Sequence, residues 1–341
     1  MENKQIIFTA PNLAELLDVE IPDEIKPNQV LVRTVYTAVS AGTERANLIG
    51  EENICGVKSK CNTNFPRRLG YSGVGIVEKI GEAVKSVKVG ERVVIYFGKH
   101  QKYNLMNERN VYPIGYDSVT DEEAALCTIA CFPIEGLRKT RLEIGESALV
   151  MGLGILGLIG VQMCRAAGAA PVIAADPNPA RRELALKCGA TDVLDPLDPD
   201  FSSKVKALTG GKGADVIIEV SGVGSALQTS LECVARFGRI SLLGCTRKNI
   251  DDFDVYHMVH YPGISIVGAH NDARPKFESR PGNWTAYDDL GAIIKLLASG
   301  SLNFKPLINE IHKPEECKEQ FERLAFDYAN FPIGLLFDWR D

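Results

Sequence analysis

LEIGESALVMGLGILGLIGVQMCRAAGAAPVIAAD, residues Leu142 to Asp176, passes from an apolar run through a glycine cluster into a helical pattern and out to a second apolar run. Ala148-Leu149-Val150-Met151 is short and wholly apolar, as a strand buried on both faces requires. It leads directly into Gly152-Leu153-Gly154-Ile155-Leu156-Gly157, a G-x-G-x-x-G spacing. Ile155 to Ala167 then reads as a helix stopped by Gly168, and Pro171 to Ala175 reads as a second strand ending on Asp176.

Each part of that order has a physical task. Gly152 makes the tight turn, Gly154 lets the backbone approach a pyrophosphate, and Gly157 lets the helix pack closely on the strand. The helix begins at Ile155 and Leu156, where unpaired N–H groups and the positive dipole end suit phosphate. Asp176 falls about 20 residues on, where a carboxylate can hold the adenosine ribose hydroxyls and repel a 2′-phosphate. The expected cofactor is therefore NAD rather than NADP. Arg181 and Arg182 follow closely and are expected to face solvent.

The remaining composition narrows the class. A chain of 341 residues is long for one domain, and 45% hydrophobic with 24% charged residues is ordinary for a soluble globular protein. Apolar runs are broken by glycine before they reach membrane-spanning length. A net charge of −6 gives no reason to expect nucleic acid or an anionic membrane as partner. Nine cysteines without close pairing, and a start (MENKQIIFTAP) without the basic-then-apolar order of a signal, predict a cytoplasmic protein.

Residues 1–120 alternate short β-like runs (29–34, 75–80, 92–97) with turns and show little helical periodicity. Residues 121–140 read as one helix capped by Thr120 or Asp121. Strands are then expected near 148–152, 172–175, 192–194, 215–220, 239–244 and 264–268 with helices between most of them, the pattern of a doubly wound parallel sheet. After Gly268 come a loop to about 285, helices near 285–299 and 314–328, and a last strand at 331–337.

Three further stretches carry a likeness. Val39-Ser40-Ala41-Gly42-Thr43-Glu44 resembles a Cys-Gly-Thr-Asp-like segment. Leu69-Gly70-Tyr71-Ser72-Gly73-Val74-Gly75-Ile76-Val77 resembles Gly-His-Glu-x-x-Gly-x-Val, and Val87-Lys88-Val89-Gly90-Glu91-Arg92-Val93 resembles x-x-x-Gly-Asp-x-Val. With the glycine motif and Lys187-Cys188-Gly189-Ala190, the whole chain resembles the medium-chain dehydrogenase/reductase superfamily in its zinc-type alcohol and polyol dehydrogenase branch. The resemblance implies an α/β fold: a Rossmann doubly wound parallel sheet at 121–270, and a GroES-like, mainly β catalytic domain from 1–120 and 271–341. It also implies a homodimer or homotetramer.

The departures from that pattern shape the chemistry. Where zinc members place Cys, His and Glu, this chain has Ala41, Tyr71 and Ser72. Cys127 falls near the third ligand position, and Gly98 to Tyr103 hold none of the cysteines of the structural zinc lobe. Cys55 and Cys61 are too isolated to replace either site. No metal is expected, and Cys127, Cys131 and Cys164 are read as core thiols.

Four residues are the catalytic candidates. Tyr71 stands in the vacated ligand position, where a phenol can donate to a developing alkoxide; the competing reading is that it only fills the space. Thr43 matches the family's hydroxyl relay position. Glu44, its acidic neighbour, can instead orient another side chain or pair with Arg45. His100 follows the strand whose end (Tyr96, Phe97) is expected to line the substrate pocket. Ser221, Gly244, Cys245 and His270, after the fourth, fifth and sixth strands, join Gly152, Gly154, Ile155, Leu156, Gly157 and Asp176 as cofactor-binding candidates. Lys58, Lys60, Arg67, Arg68, Arg274 and Arg280 can form a basic rim, and Trp284 can stack on a sugar ring.

The expected function is zinc-independent, NAD-dependent oxidation of a secondary alcohol, or reduction of a ketone, on a sugar, polyol or other polar small molecule. The alternatives are an enzyme that keeps NAD bound and oxidises transiently during epimerisation or elimination, an enone or quinone reductase, and a non-catalytic NAD(H) sensor.

Overall fold

β1 (Glu2–Ala10) and β2 (Leu13–Glu20) open the chain as an antiparallel hairpin, its turn made by Asn12 at φ +62°. Asparagine tolerates that left-handed conformation better than other side-chain-bearing residues. The computed structural model describes residues 1–54 and 64–341. These form two units: Met1–Ile129 with Leu307–Asp341, and Ala130–Pro306.

In the first unit, β3 (Gln29–Ala38), β4 (Ser72–Ile80), β5 (Arg92–Tyr96), β6 (Tyr103–Asn107) and β7 (Val111–Pro113) build an antiparallel sheet around Val30, Val32, Val77, Val93 and Ile95. Between β3 and β4 lies α1 (Ala41–Leu48), a helix in a segment whose sequence has little helical periodicity. Tertiary contact sustains it: Leu48 is fully buried in a core shared with Phe8, Phe321 and Phe337. Such contact routinely overrides weak local propensity.

The helix expected over 121–140 is two helices, α2 (Asp121–Ala125) and α3 (Cys127–Thr140), broken at the α2 C-cap Leu126. Thr120 Oγ1 caps α2 by accepting from Glu123 N at 3.3 Å.

The second unit alternates strictly: β8 (Ala148–Met151), α4 (Ile155–Ala166), β9 (Val172–Ala175), α5 (Pro179–Lys187), β10 (Asp192–Leu194), α6 (Phe201–Leu208), β11 (Ala214–Glu219), α7 (Gly224–Cys233) and β12 (Val234–Leu242). β13 (Ser265–Gly268) and α8 (Ala286–Ala298) follow. The sheet is all parallel in the order β10-β9-β8-β11-β12-β13. The chain works outward from β8 in one direction and then restarts on its other side at β11. That reversal is the topological switch point of a Rossmann sheet, where ligands bind beyond the carboxyl ends of the strands.

This unit continues to Pro306, past the boundary expected at 270, because the following segment is tied to it by polar contacts. Asp289 of α8 is fully buried and accepts from Arg138 Nε at 2.6 Å and Arg274 Nη1 at 2.9 Å. Gln162 of α4 exchanges two 2.8 Å hydrogen bonds with the backbone of Asn303.

The chain then returns to the first unit as β14 (Glu310–His312), α9 (Cys317–Phe326) and β15 (Leu335–Asp338), with β15 antiparallel to β3. Among the described residues no helix is long and apolar enough to cross a membrane.

Candidate active site

At the switch point the glycines are required by their neighbours. Gly152 has φ +95°, and a Cβ there would lie 3.0 Å from Ser221 N on the loop after β11. A Cβ on Gly157 would lie 1.9 Å from the Gly152 carbonyl oxygen, so α4 could not sit this close to β8 with any side chain there. Gly154 is different: it is the α4 N-cap, offers no side-chain cap, and a Cβ on it would meet nothing within 4 Å. The first-turn N–H groups, beginning at Ile155 and Leu156, therefore have no capping side chain, and the side-chain position of the N-cap itself is open. That is the arrangement an anion needs.

Asp176 is buried and locks this turn. Its Oδ2 accepts from Leu153 N and its Oδ1 from Asn178 N, both at 2.8 Å. A carboxylate has about four lone-pair directions, so acceptor capacity remains. The two following arginines fold back instead of facing solvent. Arg181 Nη1 is 3.8 Å from Asp176 Oδ2, and Arg182 donates to the Asp176 and Pro177 carbonyls and to Asp195. The carboxylate of Asp176 and the backbone carbonyls of Asp176 and Pro177, just beyond β9, draw them in.

The loops after β11 and β12 meet through glycine as well, since a Cβ on Gly244 would be 2.3 Å from Gly222 N. Ser221 donates through both N and Oγ to Glu219 Oε1. Glu219 is fully buried and its Oε2 has no partner; desolvation raises its pKa, against the hydrogen bonds from Ser221. Cys245 is exposed beside these loops. His270 is exposed after β13 and accepts from Asp272 N at 3.2 Å within its own loop.

In the first unit three of the four catalytic candidates, Tyr71, Glu44 and His100, join one hydrogen-bonded series, and Thr43 stands outside it. Tyr71 OH donates to Ser40 Oγ at 2.6 Å. Ser40 N in turn donates to Glu44 Oε1 at 2.9 Å, while Glu44 Oε2 lies 2.9 Å from His100 Nε2. His100 Nδ1 is 2.7 Å from Thr37 Oγ1, which also accepts from Trp339 Nε1 at 2.9 Å.

Glu44 and the His100 ring are essentially inaccessible, at 0% and 1% exposure, and both ring nitrogens are engaged. His100 thus braces Glu44 from within the core and has no nitrogen to present at the surface. Its backbone is admitted by Gly70, at φ +105°, where a Cβ would fall 2.1 Å from His100 N. Glu44 does not pair with Arg45, which donates to the Ala325 carbonyl and covers the Tyr328 ring.

Thr43 is half-buried on α1 with its carbonyl accepting from Asn47 Nδ2. Tyr71 is half-buried and stacks on Phe97, centroids 5.4 Å apart at 22°. Phe97 is held at φ +56°, a strained conformation for a bulky residue and one found at functional sites. Ser40 was not among the sequence candidates. Its only sequence signal is its place immediately before Ala41, at a vacated ligand position.

Two family models match the chain: "Alcohol dehydrogenase GroES-like domain" over residues 26–136 and "Zinc-binding dehydrogenase" over residues 156–279. D-guloside 3-dehydrogenase of Shigella flexneri is 30% identical over 325 residues, covering 90% of this chain and 92% of that protein. The chain belongs to the medium-chain dehydrogenase/reductase superfamily. L-threonine 3-dehydrogenase of Pyrococcus horikoshii is 28% identical, covering 93% and 94%. Among solved structures, an Escherichia coli oxidoreductase of unknown specificity superposes with a TM-score of 0.85 at 19% identity, covering 99% of each chain. This medium-chain dehydrogenase/reductase is accordingly an oxidoreductase with the Rossmann and GroES-like domains of its superfamily.

The residues at the family's zinc positions do not fit that ion. Ala41 has no donor atom, the Tyr71 hydroxyl is engaged with Ser40, and Ser72 is buried and donates to the Ala125 carbonyl at 2.5 Å. Zinc needs a thiolate, imidazole or carboxylate set. Cys127 is wholly buried, which pushes its thiol pKa far up, aided by the charge of Glu123. It points to the Glu123 carbonyl 3.8 Å away. Among the described residues no three His, Cys, Asp or Glu side chains group as a metal set. Cys131 and Cys164 are fully buried, whereas Cys55 and Cys61 lie outside the described residues.

The described arginines expected on a basic rim are engaged within their own units. Arg67 is buried, donating to the Asn47 carbonyl and covering Phe65, and Arg68 donates to Gln5. Arg274 is buried between Asp289 and Glu135, and Arg280 pairs its backbone with Asn283. Lys58 and Lys60 lie outside the described residues. One face of Trp284 is covered by the Arg138 guanidinium, 3.6 Å from the ring centroid.

Proposed function

We propose that this enzyme is an NAD-dependent, zinc-independent dehydrogenase acting on a secondary alcohol, or the matching ketone, of a sugar- or polyol-class molecule. The observation that carries the reading is the Tyr71–Ser40 hydroxyl pair in place of the metal ligands, held from below by buried Glu44 and His100. A bound nicotinamide dinucleotide supplies the hydride acceptor or donor. The N–H groups at Ile155 and Leu156 would hold its pyrophosphate, with Ser221, Gly244, Cys245 and His270 on the neighbouring strand ends.

Oxidation removes a hydride from carbon and a proton from the hydroxyl, so a positioned proton carrier is needed. A phenol, of pKa about 10 in water, is protonated at neutral pH and suited to donate to the alkoxide that forms during ketone reduction. In the reverse direction Tyr71 and Ser40 act as a hydroxyl pair through which the proton leaves. Glu44 fixes Ser40 through its backbone N–H, His100 fixes Glu44, and Thr43 orients the substrate hydroxyl. Asp176 supports NAD, because a 2′-phosphate beside this carboxylate would be repelled.

The sugar or polyol class rests on the relatives named D-guloside 3-dehydrogenase and sorbitol dehydrogenase, while the one named L-threonine 3-dehydrogenase supports only a secondary alcohol on a polar small molecule. The described cysteines are free, which agrees with a cytoplasmic enzyme, and the resemblance adds a homo-oligomer.

The test is an NADH absorbance assay on chelator-treated protein with NAD, then NADP, against polyols, sugars, sugar acids and glycosides. NADH formation that survives chelation supports the reading. Turnover lost with the metal, or seen only with NADP, refutes it.

A further inference from the structure

The second unit holds a cavity of about 550 Å³ between α3, the C-terminal end of α4 and α8, none of its lining residues belonging to the glycine turn. Its walls are apolar: Ile134 and Leu137 of α3, Met163 of α4, and Ala292 and Leu296 of α8. Two guanidinium groups stand on it, and they differ. Arg138 is committed, donating to buried Asp289 at 2.6 Å and covering Trp284. Arg141 is exposed and makes no hydrogen bond or ion pair through its side chain with any described residue.

The backbone around Arg141 is specialised. It directly follows α3 in the left-handed conformation, φ +50°, a position where glycine or asparagine is favoured. Opposite it, Gly282 has φ +76°, and a Cβ there would be 3.4 Å from Arg141 Nε. An arginine thus occupies a conformation it disfavours, beside a glycine in the left-handed region, with its charge unmatched at an apolar cavity. Ligand sites of about 300–1,000 Å³ with mostly apolar walls and few polar groups have this form.

We infer that this cavity binds a small amphipathic carboxylate, its apolar body among α3, α4 and α8 and its anionic end on Arg141. The charge selects the anion, because an unpaired guanidinium next to apolar walls gains most from a carboxylate. None of these residues belongs to the glycine turn or to the Tyr71 series, so the site is separate from the proposed chemistry.

Decanoate, decanol and decyltrimethylammonium are the probes, titrated calorimetrically into the whole protein below their aggregation concentrations, with Trp284 fluorescence as a second signal. Decanoate is expected to bind saturably with one site per chain, at least tenfold tighter than decanol, with no saturable binding of the cation. Arg141→Asn removes the charge at a position asparagine tolerates, and should bring decanoate down to the affinity of decanol. Ala292→Phe should fill the cavity and abolish both while leaving turnover unchanged; if it does not fold, Ala167→Leu serves the same purpose. Equal affinity for decanoate and decanol, or decanoate binding unaffected by Arg141→Asn, overturns the inference. So does absence of saturable binding. A second copy of the chain as the true occupant would show as an oligomer that Ala292→Phe disperses without any decanoate site, which also overturns it.

Discussion

Three glycines of one turn and helix should respond to the same alanine substitution in three ways. At Gly157 the added Cβ starts 1.9 Å from the Gly152 carbonyl oxygen, and Cβ atoms are essentially never found closer than 3.0 Å. The α4 helix or the turn must therefore give by at least 1.1 Å, and both are backbone. Overpacking of this kind costs about 1–3 kcal/mol, or several degrees of melting temperature for a domain of this size. A displacement near 1 Å at a binding site costs on the order of 10²-fold in function.

Gly154→Ala meets no protein atom within 4 Å. The melting temperature should stay within about 2 °C, a small stability change, while NADH affinity falls at least tenfold, because the methyl occupies space assigned to the cofactor. Gly160→Ala, one turn further on, meets only Pro133 Cβ at 3.7 Å. It should leave binding intact and gain about 0.5–1 kcal/mol, as helical alanine over glycine does. Thermal melts and NADH fluorescence titrations on the three variants suffice. Unchanged NADH affinity in Gly154→Ala refutes the placement of the cofactor, and a Gly157→Ala protein that melts like its parent refutes the packing argument.

Tyr71→Phe keeps the stack on Phe97 and should lower kcat by about 10²–10⁴-fold, the usual contribution of a positioned acid, with KM little changed; normal turnover would make Tyr71 a space-filler. Asp176→Asn should raise the KM for NAD and narrow its advantage over NADP, as measured by kcat/KM with both cofactors; an unchanged ratio counts against the ribose role. His312 lies 2.8 Å from both Glu310 and Glu316. Burial lowers its pKa, but the two glutamates together outweigh this and leave it raised. Its stabilisation, about 1 kcal/mol for so partly exposed a cluster, is fully present below the ordinary value of 6.5 and is lost as pH rises through the raised one. The melting-temperature gap between the parent and His312→Asn should therefore close as pH rises past 6.5; a gap that widens with rising pH would reverse the assignment.

The Rossmann sheet was readable because its signals are local. Each strand is a short apolar run, and the glycines act on neighbours within a few residues or on the next strand end. The polar series around Tyr71 was only partly readable, because its bonds are long-range: His100 meets Glu44 across 56 residues and Thr37 across 63. Sequence placed His100 near the end of β5 correctly but could not show that Gly70 draws it into the core. Arg274 looked like surface charge for the same reason. Its partners Asp289 and Glu135 are brought to it by α8 and α3, and only folding reveals that the group is buried. Helix α1 escaped notice because its stability lies in Leu48 and the aromatic core, not in its own pattern.

Trp339 gives the polar series a place in time. Its indole N–H reaches Thr37 across 302 residues and satisfies the hydroxyl that faces His100. A ribosome making roughly 5–20 residues per second will have finished the whole parallel sheet well before that indole exists. The growing chain can thus acquire a nucleotide-binding unit early, while the support beneath Tyr71 waits for the last strand to close on β3. Cofactor binding and turnover are then expected to mature in that order. A chain cut short before Trp339 would hold nucleotide without completing the brace under its proposed proton donor.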